Sequence, residues 1–294
     1  MRAERVVPEV AAHPGALLGE APTWDPVERR LLWVDIPQAR IHTYDPASGA
    51  RTVMVAEQRV GAAKPRKGGG LVVNLRDGVG LYGPDGRSFA WLHHDPRPWR
   101  RGNDAAVAPD GALWAGTITD ADAPGAGTLT RVSGDGTAVT VLPEVSLSNG
   151  IGWSPDGRFM YFVDTETEGI DVFDVCGDGG GCGGVDVAGR RTLVRMAEGE
   201  GRPDGLTVDA EGCVWVALWN GGAVRRYTPE GTLDRELRLP VRRPTSCAFG
   251  GADLTDLYVT SARVGVEPAA EPLAGALLVL PGAGEGVAQS AFAG

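Results

Sequence analysis

The chain is short of positive charge. Its 28 Lys and Arg face 38 Asp and Glu, for a formal net charge of −10. Grip on nucleic acid comes largely from basic side chains that release condensed counterions. So acidic a chain, without a basic run, is expected to bind no nucleic acid and, for the same electrostatic reason, no anionic membrane surface. Lysine occurs only at Lys64 and Lys67, which reads as compositional bias without functional meaning. No apolar run approaches the roughly 18 residues that would span a bilayer. The N-terminal Met1–Val10 lacks the apolar core of a secretory signal. Cysteine is scarce too, with four in 294 residues, too few for a disulfide scaffold. Cys213 and Cys247 sit in apolar, strand-like contexts and are expected to be inert core residues. Cys176 and Cys182 flank a Gly-rich run; they could pair or help to bind a metal, and two free thiols in a loop is the preferred reading. A cytoplasmic location follows from these features.

Several catalytic signatures are missing as well. There is no Gly-x-Ser-x-Gly elbow, which argues against an α/β-hydrolase. No Gly-x-Gly-x-x-Gly follows a strand, which argues against a dinucleotide site. The four histidines (His13, His42, His93, His94) show no His-x-x-x-His spacing.

What the chain has in excess is punctuation. Gly occurs 44 times and Pro 21 times. A helix interior loses about 1 kcal/mol per Gly and about 3 per Pro, so long helices are excluded, while 43% hydrophobic content excludes disorder. Turn signals recur at Trp24-Asp-Pro26, Ala108-Pro-Asp-Gly111, Ser154-Pro-Asp-Gly157 and Asp209-Ala-Glu-Gly212. A second set is offset from these: Tyr44-Asp-Pro46, Gly83-Pro-Asp-Gly86, Ser133-Gly-Asp-Gly136 and Thr228-Pro-Glu-Gly231. Asp supplies local hydrogen bonds and Gly supplies positive φ, so these mark hairpins. After the first set come apolar, aromatic runs such as Leu31-Leu-Trp-Val-Asp35, Met160-Tyr-Phe-Val-Asp164 and Cys213-Val-Trp-Val-Ala217, which read as strands. The unit repeats at roughly 35 to 55 residues, the period of propeller blades. The expected fold is all-β: a six-bladed β-propeller of four-stranded antiparallel blades, forming a single domain over residues 1–294. Units start near residues 20, 68, 103, 149, 204 and 245, and a strand near Arg5–Val10 closes the last one. The Gly177–Gly189 run reads as an inserted loop.

Aligning the units on their first turn places Glu20, Gly70, Asn103, Asn149, Asp204 and Thr245 at one height around the central axis. Five slots carry side-chain oxygen. Carboxylate and carboxamide oxygens suit a hard cation such as Ca²⁺, and the absence of Cys and His from the slots gives zinc no support. The competing reading is that these residues only cap strand starts; Glu20 speaks against it, because Glu is no favoured cap. Gly70 is expected to leave one side of the mouth open. Two residues upstream stand Leu18, Gly68, Arg101, Leu147, Arg202 and Arg243. These Arg residues suit an anionic or polyhydroxylated ligand, or else pair with neighbouring carboxylates, the reading preferred for Arg202 and Arg243.

The segments Leu18-Gly-Glu-Ala-Pro-Thr-Trp24, Arg101-Gly-Asn-Asp104, Leu113-Trp-Ala-Gly-Thr117, Ser148-Asn-Gly150, Gly201-Arg-Pro-Asp-Gly205 and Arg243-Pro-Thr-Ser-Cys247 resemble the gluconolactonase and regucalcin (senescence marker protein) family. The resemblance runs from about residue 16 to Phe292-Ala-Gly294. It implies a six-bladed propeller that hydrolyses sugar lactones to aldonic acids. It implies one divalent metal on Glu20, Asn149 and Asp204, and substrate held by Arg101 and Asn103. Ca²⁺ is favoured; Zn²⁺, Mn²⁺ and Mg²⁺ stay open because family members take several ions. Some members carry a further acidic residue after the Gly-Thr of the third blade. Ala121 falls at that slot, with Asp120 or Asp122 as possible replacements. Asp204 is also the candidate general base. The alternatives are a cation- or ligand-binding propeller without turnover and an interaction scaffold. The oligomeric state is not readable.

Overall fold

The computed structural model describes residues 7–119, 125–176, 187–267 and 269–294. These form six four-stranded antiparallel sheets, the blades of a propeller. The innermost strands are Gly19–Asp25, Val60–Pro65, Arg100–Val107, Ser148–Trp153, Arg202–Val208 and Pro244–Gly250. Each pairs with a second strand: Arg30–Asp35, Leu71–Leu75, Leu113–Thr119, Phe159–Asp164, Val214–Trp219 and Asp256–Ser261. Third and fourth strands complete each blade outward. Among the described residues the only helical element is the short turn Thr165–Thr167.

The sequence pattern follows the radial position. Second strands are covered on both faces by the flanking blades, so both of their faces are apolar. Leu31, Leu32, Trp33 and Val34 are all buried in one such strand, and Val214 to Leu218 in another. Fourth strands face solvent; Arg51–Val55 and Leu233–Arg238 are mostly exposed. The first set of turn signals joins first to second strands and the second set joins third to fourth, as their spacing predicts.

Closure of the ring uses both ends of the chain. Glu9–Ala12 pairs with Leu277–Leu280 and supplies the outermost strand of the sixth blade, as expected; Arg5 lies outside the described residues. The last dozen residues cross the far end of the central channel. Ala210 N–H donates to Glu285 O at 2.8 Å, and Phe292, fully buried, donates to Pro65 O at 2.9 Å. Arg66 Nε donates to Gly294 O at 2.8 Å.

Three expectations need correction. The second blade starts at Val60, not near residue 68. Its Asp77-Gly78 turn joins the second and third strands. The first turn is the one from Arg66 to Gly70, where Arg66 N–H donates to Gly70 O at 3.1 Å, as Asp209 does to Cys213 at 3.0 Å. Counting back from Arg66 places Gly61 in the ring slot and Arg59 two residues before it. Gly70 sits instead in a hairpin at φ +80°, where a Cβ would lie 2.1 Å from Tyr82 O. Secondly, Cys176 is disulfide-bonded, not a free thiol, which removes the thiol part of the cytoplasmic argument. Its partner lies outside the described residues. Thirdly, Val187–Gly189 begin a strand and do not belong to an inserted loop; residues 177–186 lie outside the described residues. Cys213 and Cys247 are buried free thiols, as expected.

Candidate active site

Every innermost strand breaks register at its ring slot. The shift falls between Glu20 and Thr23, Val60 and Ala62, Gly102 and Ala105, Ser148 and Ile151, Pro203 and Leu206, and Pro244 and Ser246. A bulge at this point re-aims the slot side chain and ends regular pairing. In the first blade it also holds Ala21 at φ +48°, a left-handed conformation costing a non-glycine residue about 1 kcal/mol or more. Ala21 N–H donates to Glu20 Oε2 at 3.2 Å. Strained backbone beside a buried carboxylate points to a site that the rest of the fold holds in place.

Glu20, Asn103, Asn149 and Asp204 are all buried. Burial drives the Glu20 carboxyl well above the usual range, and the Asp204 and Asp104 charges push it further. Asp204 is raised well above its usual range by burial and by Asp104, against a lowering from Arg202. Asp204 Oδ1 is buried without a hydrogen-bond partner.

The carboxamides are set by a directional chain of hydrogen bonds. Arg101 Nη1 donates to Asn103 Oδ1 at 2.9 Å, and Asn103 Nδ2 donates to Asn149 Oδ1 at 2.8 Å. Asn149 Nδ2 donates to Thr165 Oγ1 at 2.7 Å, and Thr165 Oγ1 donates to the Pro203 carbonyl at 2.8 Å, next to Asp204. Each amide is thereby fixed in one orientation. Asn103 Oδ1 and Asn149 Oδ1 each accept one hydrogen bond in this chain and each keep a second lone pair. Asn74, from the second blade, donates to Asn103 O and Gly116 O, both at 2.9 Å.

The other slots contribute no ligand. Thr245 Oγ1 is engaged by Gly19 O and Thr260. Gly61 has no side chain and admits none, since a Cβ there would lie 2.2 Å from Asn103 O. On the rim, Arg202 pairs with Glu166 at 2.5 Å. Arg243 Nε donates to Asn220 Oδ1 at 2.9 Å, and its guanidinium lies 5.0 Å from the Trp219 ring centroid. The orienting role preferred for Arg202 thus has its carboxylate. Asp120 and Asp122 lie outside the described residues.

Beyond the ring, a cavity of about 250 Å³ is lined by Lys64, Asp104, Thr207, Ser246 and Cys247, with residues 287–290 across its end. Sequence reasoning missed Thr165, Asn74, Asp104 and Lys64. Thr165 had a signal: Asp35 and Asp164 end equivalent strands, and each accepts two backbone N–H groups, from Leu17 and Leu18 and from Ser146 and Leu147. That repeat marks the residue after Asp164 as lying at the mouth.

The residues present fit a divalent cation. The donors are carboxylate and carboxamide oxygens, one carboxylate oxygen is buried without a partner, and the two carboxylates destabilise each other in its absence. Among the described residues no three His, Cys, Asp or Glu side chains gather as a metal cluster. No described helix is long and apolar enough to cross a membrane.

Fold and site together define a propeller with an acidic, oxygen-lined channel mouth. Residues 18–263 match the family described as SMP-30/Gluconolactonase/LRE-like region, and the chain belongs to that family and to its lactonase hydrolases. It is 36% identical to the 6-deoxy-6-sulfogluconolactonase of Pseudomonas putida over 286 residues, 95% of this chain and 96% of the relative. It is 37% identical to a pentonolactonase of Haloferax volcanii over 247 residues, 83% and 81% of the two chains. The crystal structure of the calcium-binding protein regucalcin from Agrobacterium tumefaciens superposes with a TM-score of 0.88 at 29% identity, covering 97% and 98% of the two chains.

Proposed function

We propose that this chain, acting as one domain over residues 1–294, hydrolyses a sugar lactone to its aldonic acid at the channel mouth, with a divalent cation held by Glu20, Asn149 and Asp204. The observation that carries the cation is the orphaned Asp204 Oδ1 among carboxylates whose protonation burial favours. When bound, such a cation supplies Lewis-acid polarisation of a carbonyl oxygen. An all-oxygen donor set and the calcium-binding solved relative favour Ca²⁺; Mg²⁺, Mn²⁺ and Zn²⁺ are the ions to test beside it.

Asp204 is assigned as general base. The Asp204 carboxylate takes a proton from the attacking water as the water oxygen bonds to the lactone carbonyl carbon. The ring C–O bond then breaks, and the proton passes to the leaving alkoxide to give the hydroxy acid. Arg101 donates to sugar oxygens at the rim. Asn103 binds substrate through Arg101, whose guanidinium it anchors, and fixes Asn149. Asp120 or Asp122 would add an acceptor from the third blade.

The test uses purified protein stripped with chelator and a panel of aldonolactones. Ca²⁺, Mg²⁺, Mn²⁺ or Zn²⁺ should restore hydrolysis; rates that stay spontaneous with every ion overturn the proposal. A cation-binding propeller without turnover is the second reading, favoured by the calcium-binding relative. Calorimetric binding with no hydrolysis would select it.

A further inference from the structure

Lys64 stands three residues after the Gly61 slot, on the innermost strand of the second blade, and is buried. Its Nζ donates to Thr23 Oγ1 at 2.6 Å. Lysines ordinarily carry their ammonium out to water, and one hydroxyl is poor compensation for burying a charge. Burial pushes the Lys64 ammonium below its usual range, and the Asp104 and Glu20 charges oppose that shift; Asp104 lines the same cavity. Asp104 Oδ1 accepts a backbone hydrogen bond from Ala105 at 2.8 Å, and Lys64 is the cation that acts on it.

The other buried carboxylates are compensated locally. Asp35 and Asp164 each accept two backbone N–H groups, Asp25 accepts those of Val27 and Glu28, Asp209 meets Arg226, and Asp171 meets Arg190. Three carboxylates are left around the channel axis: Glu20, Asp104 and Asp204. Arg101 and Arg202 act on Glu20 and Asp204 from the rim; for Asp104 the acting cation is Lys64.

We propose that Lys64 is the channel's built-in counter-charge: it compensates Asp104 and so sets how strongly the channel attracts a divalent ion. Lys64 is a positioning residue and touches no substrate. The affinity part of this inference rests on the cation reading above; the stability part does not.

The test compares Lys64→Met, Asp104→Asn and the double variant, by thermal unfolding in chelator and by calorimetric titration with Mn²⁺ alone. Lys64→Met should lower the chelated Tm by several degrees yet bind Mn²⁺ about tenfold more tightly, because a repelling charge has gone from a low-dielectric site. Asp104→Asn should bind Mn²⁺ about tenfold more weakly by the same reasoning. The double variant should return towards wild type in both measurements. A side chain that only fills space would lose stability and affinity together. Unchanged or weaker Mn²⁺ binding by Lys64→Met, or additive Tm losses in the double variant, overturns the inference. If Lys64→Met does not fold, a folded double variant supports the counter-charge, and failure of both refutes it. If the wild type binds no Mn²⁺, the cation reading fails, and the Tm comparison in chelator still decides the role of Lys64.

Discussion

The first and second strands of each blade lie side by side and are about equally buried, yet they are built from opposite materials. Second strands are filled with Trp33, Trp215, Tyr161 and Tyr258. First strands carry Glu20, Asn103, Asp104, Asn149, Asp204 and Lys64 into the same degree of burial. Hydrophobic burial stabilises a fold at roughly 25 cal/mol per Å², whereas a buried charge without a partner costs several kcal/mol. The fold is thus held by the second strands and carries its chemistry on the first. Neighbouring blades meet through their first strands near the axis, and second strands pack against a neighbour's first strand, so the polar groups of the first strands gather around the axis.

The comparison is most easily broken from the apolar side. Trp33→Ala should lower the unfolding free energy by about 3 to 5 kcal/mol, the usual cost of emptying a large aromatic site, while the folded fraction keeps its turnover. Urea unfolding and lactone hydrolysis of the same sample check both halves. Equal losses in both would show that the two layers are not separable. On the polar side, Glu20→Gln and Asp204→Ala should each lose about 100-fold or more in turnover, the scale of removing a key electrostatic group. Their metal-free stability should hold or rise, because each change relieves repulsion between buried carboxylates. Retained full activity in either variant would remove that residue from the site.

Thr165→Val leaves Asn149 Nδ2 without its acceptor and should cost about 1 to 3 kcal/mol. Part of this should appear as weaker cation binding, whereas a change in stability alone would confine Thr165 to packing. The smallest effect is on pH dependence. Glu20 and Asp204 are raised in the folded chain, so folding takes up protons. Metal-free stability should therefore be greatest near the unfolded carboxylate range of about 4 and fall as pH rises through the raised folded values. Asp85, held at about 2 by the Ser88 and Arg87 backbone N–H groups, acts with the opposite sign and only below about pH 4. Thermal scans in chelator between pH 5 and pH 8 check this, and Glu20→Gln should flatten the curve.

Hairpins, blade number and most slot residues were legible in the chain because their causes are local. A positive-φ Gly, an Asp accepting from its own turn and an apolar run are short-range requirements. The second blade misled for the same reason. Asp77-Gly78 is as good a hairpin signal between second and third strands as elsewhere between first and second, and local chemistry does not say which hairpin it closes. Gly61 could not be told from any other glycine, because what demands it is the backbone of Asn103, 42 positions away.

The sequence by itself determined that the chain must fold into repeated antiparallel hairpins, that helices are excluded, and that acidic and amide side chains recur at one point of the repeat. Only the tertiary structure decided what those side chains do. The convergence of six inner strands buries them together and aligns the donors from Arg101 to Thr165. It also buries Lys64, which along the chain is one of only two lysines, beside carboxylates contributed by two other blades. Burial and charge compensation are properties of neighbours in space, and for this channel those neighbours lie tens to hundreds of residues apart.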